Sequence, residues 1–176
     1  ADIFVHDLQT GTTVRASVDG NASSWDPSIS LDGHFVVFSS GATNLVTGDT
    51  NGVRDIFVYS VQTGQVTLAS VNSSGVQADK GGVDPSISGD GRYVAFSSAA
   101  YNLQTVDTLN FTYVYVHDRT TGETTLASYN NGYPMYGTAD DPVISADGRY
   151  IAFSYDDRGD GMAVRWIYVH DRVTNT

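Results

Sequence analysis

Two short segments alternate along the chain, and this alternation constrains the fold more than any other feature. The first reads "DPSISLDGHFVVFSS" from residue 26, "DPSISGDGRYVAFSS" from residue 84 and "DPVISADGRYIAFSY" from residue 141. Its copies start 58 and 57 residues apart (84 − 26 and 141 − 84). The second reads "DIFVHDLQTG" from residue 2, "DIFVYSVQTG" from 55, "YVYVHDRTTG" from 113 and "WIYVHDRVTN" from 166. Self-similarity at a fixed period means one supersecondary unit used repeatedly, each copy burying its apolar face against its neighbours.

Each full period contains four strand signals. A short strand such as "PSIS" runs into an Asp-Gly turn at Asp32-Gly33, Asp90-Gly91 or Asp147-Gly148. Glycine tolerates positive φ and aspartate caps its own backbone, so Asp-Gly between apolar runs marks a hairpin. A second strand follows ("HFVVFSS", "RYVAFSS", "RYIAFSY"), then a long loop, then the third strand. A turn opened by Asp7, Asp118 or Asp171 and closed by Gly11, Gly64 or Gly122 leads to the fourth; Asn175 takes the glycine position in the last copy. The third strands carry β-branched residues at one parity (Ile3, Val5, Ile56, Val58) and aromatics at the other (Phe4, Phe57, Tyr115, Tyr168). Both faces are apolar, so each sheet is expected to lie between two others. Four-stranded antiparallel meanders stacked face to face around an axis are β-propeller blades.

Composition agrees. Asp accounts for 19 of the 20 acidic residues, and Glu and Lys, the helix-friendly surface residues, appear once each. With 18 Gly and 18 Tyr plus Phe, this is an all-β chain with many turns. The net charge of −11 argues against nucleic acid and anionic lipid surfaces as partners and permits cations. There is no cysteine, hence no disulfide or thiol chemistry. No stretch is long and apolar enough to insert in a membrane.

"DPSISGDGRYVAFSS" followed by "DIFVYSVQTGQVTLAS" resembles the WD40-like (PD40) β-propeller repeats of the TolB type, and the resemblance covers essentially the whole chain. It implies a propeller and an exported bacterial protein, periplasmic, extracellular or at the cell surface. It implies little about activity, since such propellers serve as binding scaffolds, as partner domains of peptidases and occasionally as lyases. Residues 1–176 read as one propeller region with blade parts 1–25, 26–83, 84–140 and 141–176. The strand count is two, four, four and three: three blades plus one surplus third-type strand. That ring is incomplete, because closed propellers have four to eight blades. Either the chain is a piece of a larger propeller, or its open blades are completed between subunits as an oligomer or filament.

The second-to-third and fourth-to-first loops should share one rim, and these variable loops are where function is expected. "GDTNGVRD" places Asp49, Asn51 and Asp55 at positions one, three and seven, with the Val53 carbonyl at five, as in the first half of a calcium loop. The bidentate glutamate at position twelve is missing, and the same residues also suit an Asn-Gly turn capped by aspartates. Asp26, Asp84 and Asp141 precede prolines on the strand expected to be innermost. They could ring the channel mouth as a cation or sugar site, or simply cap local N–H groups where the strand starts. Trp25, Tyr101 and Tyr136, with Phe111, Tyr133 and Trp166, are placed to stack on sugar rings or to wedge between blades. His6, His117 and His170 occupy one repeat position, with Tyr59 in the fourth copy, and suggest packing rather than metal ligation. No G-x-S-x-G elbow or supported Ser-His-Asp arrangement stands out. The expectation is a non-catalytic scaffold for a protein or glycan ligand, calcium-stabilised at its loop. A self-assembling repeat and a glycan-binding or glycan-active protein stand as alternatives.

Overall fold

A computed structural model describes residues 1–104, 111–130, 133–135, 137–156 and 165–176, and every regular element among them is a strand. β1 (Phe4–His6) and β2 (Thr13–Arg15) form a two-stranded sheet. β3 (Ser24–Ile29), β4 (Phe35–Ser40), β5 (Asp55–Ser60) and β6 (Val66–Leu68) form the first four-stranded meander. β7 (Val83–Ile87), β8 (Tyr93–Ser98), β9 (Tyr113–Asp118) and β10 (Thr124–Leu126) form the second. A small hairpin, β11 (Tyr129–Asn130) with β12 (Tyr133–Pro134), precedes a three-stranded sheet of β13 (Thr138–Ile144), β14 (Tyr150–Asp156) and β15 (Arg165–Asp171). All pairings are antiparallel. The sheets follow the repeat count of two, four, four and three; the β11–β12 hairpin is an addition that the repeat does not encode.

The sheets stack as blades because both faces of each are apolar. Val37, Ile56 and Val58 of the first meander pack on Ile87, Phe96 and Tyr115 of the second. Val114 and Val116 of the second pack on Ile144, Ile151 and Phe153 of the last sheet. Ile3 and Ala16 pack on Phe38 and Phe57 in the same sense. The β-branched parity of one third strand thus always meets the aromatic parity of the next blade. The first strands β3, β7 and β13 lie beside one another, as expected of strands nearest an axis.

Polar residues of the repeat close its turns. Ser30 and Ser88 donate to Asp32 and Asp90 at 2.6 Å, and each carboxylate accepts the N–H two residues on, from His34 at 2.9 Å and Arg92 at 3.0 Å. Ser17, Ser70 and Ser128, on the fourth-strand side, accept the N–H of Ile3, Ile56 and Val114 at 3.1–3.2 Å. One rim is latched between blades: Arg119 stacks on Phe35 at 4.3 Å and donates to the Gly91 carbonyl at 2.5 Å, and Arg172 repeats this on Tyr93 (4.0 Å) and Gly148 (2.7 Å).

Candidate functional site

Asp26, Asp84 and Asp141 are not where a simple Asp-Pro strand start would put them. β3, β7 and β13 begin two, one and three residues earlier, and each carries a register shift across its Asp-Pro step. The three aspartates have φ of 54°, 52° and 53°, in the left-handed region. Proline disfavours helical backbone in the preceding residue, and aspartate is one of the few side chains that tolerates the left-handed alternative. A β-bulge bends the strand and re-aims a side chain. The capping expected from local N–H groups gives way to a hydroxyl from the facing strand: Ser39 donates to Asp26 at 3.0 Å, and Ser154 donates to Asp140 and stands 3.5 Å from Asp141.

The bulges bring these carboxylates into one another's field. Burial raises the pKa of Asp84, and the carboxylates of Asp141, Asp26 and Asp140 raise it further; Arg54 opposes them. Two arginines neutralise part of the cluster. Arg54 lies 3.7 Å from Asp26 and stacks on Trp25 at 4.1 Å. Arg165 pairs with Asp140 at 2.6 Å and with Asp141 at 3.5 Å. Four carboxylates face two guanidinium groups, so the mouth is electronegative. Among the described residues no group of three or more His, Asp or Glu side chains is arranged to hold a metal ion.

The 48–55 loop gathers its polar residues on a partner that the spacing alone does not reveal. Gln77, from the fourth-to-first loop, donates through one amide nitrogen to Asp49 at 2.8 Å and to Asp55 at 3.1 Å, and its carbonyl accepts the Thr50 N–H at 3.2 Å. Asn51 accepts the Val53 N–H at 3.0 Å, an Asx turn, and donates to the Ala78 carbonyl at 2.9 Å. Asp55 accepts the Ser70 hydroxyl at 2.6 Å, as Asp2 accepts Ser17 at 2.8 Å, so this aspartate also belongs to the blade's own framework. Burial raises the pKa of Asp55, and the Asp49 carboxylate adds to it. Asp49 is 8% exposed, and its Oδ2 has no hydrogen-bond partner. The two loop types meet on one rim elsewhere too: Asn21 bonds Thr43 and Asn44, and Asp79 bonds Asn102 and Tyr101.

The aromatic candidates separate. Trp25 belongs to the acidic mouth. Tyr101 stands on the same rim with the Lys80 ammonium 3.9 Å above its ring, beside a groove of about 370 Å³ lined by Asn72, Asn102 and Gln104. Phe111 packs against the core, Trp166 is exposed on β15, and Tyr136 lies outside the described residues. The histidine column is structural: His6 and His117 each bond, through Nδ1, the threonine directly opposite on the fourth strand, Thr13 and Thr124, at 2.9 Å. Arg54, Gln77, Asp140 and Arg165 complete the clusters. They stand outside the recurring segments; the signals that could have found them are the arginine placed directly before the third-strand segment in two copies, Arg54 and Arg165, and the doubled aspartate of "DDP" at Asp140.

Comparison with solved structures bears on this geometry. TolB from Acinetobacter baumannii superposes with a TM-score of 0.59 at 21% identity, over 99% of this chain and 36% of that one. A putative TolB from Agrobacterium tumefaciens gives a TM-score of 0.63 at 13% identity, over 99% of this chain and 54% of that one. The fold is that of the TolB-type β-propeller. A chain of a nidogen/laminin complex is also similar, with a TM-score of 0.55 at 8% identity over 96% of this chain and 51% of that one. The present chain therefore spans about a third to a half of the length of these propellers. No family model and no curated protein matches it. Among the described residues no helix is long and apolar enough to cross a membrane.

Proposed function

We propose that the chain forms part of a non-catalytic propeller scaffold in an exported bacterial protein, and that it receives a basic protein segment at the mouth formed by Asp26, Asp84 and Asp141. The observation that carries this reading is the half-buried Asp84 carboxylate, whose pKa is raised by burial and by Asp141, Asp26 and Asp140. Like charges held together on a rigid bulge are costly to the fold, and such cost concentrates where a ligand relieves it. Lysine or arginine side chains would do so, and Trp25, already stacked on Arg54, offers an aromatic face to a guanidinium. The test is a titration with a Lys/Arg-rich peptide, followed by tryptophan fluorescence. Binding should weaken about tenfold or more when Asp26, Asp84 and Asp141 all become Asn, and should fall as salt rises. Binding indifferent to both changes would contradict the reading.

A structural calcium ion at Asp49, Asn51, Val53 and Asp55 is the second part of the proposal. It is supported by the buried, unpartnered Asp49 Oδ2. The ion would take the place of the Gln77 amide between the two carboxylates. Millimolar calcium should then raise the melting temperature of the chain and leave Asp49→Asn unmoved. A melting temperature insensitive to calcium and to chelator would remove the ion from the account.

A further inference from the structure

We propose that the middle blade takes an arginine side chain from the ligand, held between Asp84 and Ser97 in the position that Arg54 and Arg165 occupy from within the chain in the blades on either side. The proposal rests on the reading of the acidic mouth as a receiver of basic segments, and it names the side chain and the position that select them.

The three blades match residue for residue here. Asp55, Tyr113 and Trp166 hold one register position, opposite Ser40, Ser98 and Tyr155. The residues just before them, Arg54, Thr112 and Arg165, are therefore equivalent. The backbone agrees for the first two: the Arg54 carbonyl accepts the Gly82 N–H and the Thr112 carbonyl accepts the Ala139 N–H, both at 2.8 Å. Arg54 pairs with Asp26 and Arg165 with Asp141, each within its own blade. Thr112 is uncharged and too short to do the same for Asp84. Among the described residues Asp84 makes no ion pair.

The serine of the facing strand shows the same difference. Ser39 donates to Asp26, and Ser154 donates to Asp140 and stands beside Asp141. Ser97 has the same register, opposite Val83 as Ser39 is opposite Trp25, yet its buried Oγ has no hydrogen-bond partner. A buried hydroxyl without a partner costs free energy, and a half-buried carboxylate without a cation costs more. One guanidinium offers N–H donors to both. Val83 holds the register position of Trp25, whose ring lies against Arg54. An apolar neighbour favours the weakly hydrated guanidinium over an ammonium group.

An arginine-rich peptide and its all-lysine counterpart, titrated into the whole chain, make the test. The arginine peptide should bind about threefold or more tightly. Asp84→Asn alone should weaken its binding about tenfold. Asp26→Asn is the same change of charge beside an aspartate that already has its arginine, and should weaken binding less than about threefold. Thr112→Arg should supply the side chain from within: it should weaken peptide binding about tenfold and lower the pH at which the Asp84 carboxyl carbon titrates. If Asp26→Asn and Asp84→Asn weaken a salt-dependent binding equally, the mouth is a diffuse acidic surface and the arginine site is overturned. Equal affinity for the two peptides would overturn it as well, as would a folded Thr112→Arg chain that keeps full affinity. If neither peptide binds the native chain, the reading of the mouth falls with it.

Discussion

Alanine at Gly91 and alanine at Gly33 impose the same backbone and meet different surroundings, so the pair measures what one blade contributes to holding the next. Both glycines sit in the same Asp-Gly turn with φ of 72°. Forcing a side chain into that left-handed conformation costs about 1–2 kcal/mol at either site. At Gly33 a Cβ meets nothing within 4 Å. At Gly91 it runs into the ring of Phe35 from the preceding blade, and Arg119 stacked on that ring leaves it little room to move. Overpacking of this kind adds about 1–3 kcal/mol. Urea denaturation should therefore show Gly33→Ala losing about 1–2 kcal/mol and Gly91→Ala about 2–5 kcal/mol. Gly148→Ala should behave like Gly91→Ala, because its Cβ meets Tyr93 in the same way. Equal losses at Gly33 and Gly91 would refute the claim that the rim latch transmits blade-to-blade packing.

Asp84→Asn should stabilise the chain at pH 7. Its folded pKa lies above the unfolded value of about 3.9, so the ionised carboxylate is a burden that protonation lifts. The advantage of the variant should shrink as pH falls through the folded pKa and vanish below about 3.9; thermal melts between pH 3.5 and 8 read it, and a less stable variant at pH 7 would count against the clustering. Gln77→Leu should cost about 2–3 kcal/mol in a urea titration at neutral pH, since it strips the amide from two buried carboxylates, and the deficit should narrow on acidification. Asp118→Asn should cost about 1–2 kcal/mol by the same assay: Arg92 grips this carboxylate at 3.0 and 2.7 Å and holds its pKa well below the usual range, but the guanidinium is partly exposed, which limits the gain. That contribution is present above about pH 3.9 and is lost as pH falls through the depressed folded value.

The blades were legible in the sequence because packing repeats. Ile56, Val58 and Phe57 recur as Val114, Val116 and Tyr115, and every copy faces the same neighbour, so the period reports the stack directly. The rim geometry was legible too, because the Asp-Gly turns and the long loops must alternate ends in a meander. The left-handed φ at Asp26, Asp84 and Asp141 was not. An Asp-Pro step reads locally as an extended strand start, and only the register of the facing strand reveals the bulge. Gln77 was equally hidden, since it reaches Asp49 and Asp55 from 28 and 22 residues away and has no repeat counterpart. Loops vary where the scaffold allows it, so their contacts carry no periodic signal. The histidine column sits between these cases: its recurrence was plain, but its purpose appeared only once Thr13 and Thr124 stood opposite.

The convergence of the axial carboxylates is the claim on which the functional reading depends, and the pKa of Asp84 tests it directly. A 13C titration of the aspartate carboxyl carbons, in the native chain and in Asp141→Asn, would follow each group separately. Asp84 should titrate above the ordinary carboxylate range, and neutralising Asp141 should bring it down. An Asp84 that titrates normally, or that ignores the loss of Asp141, would mean that the three bulges do not share a field and that the acidic mouth is not a site.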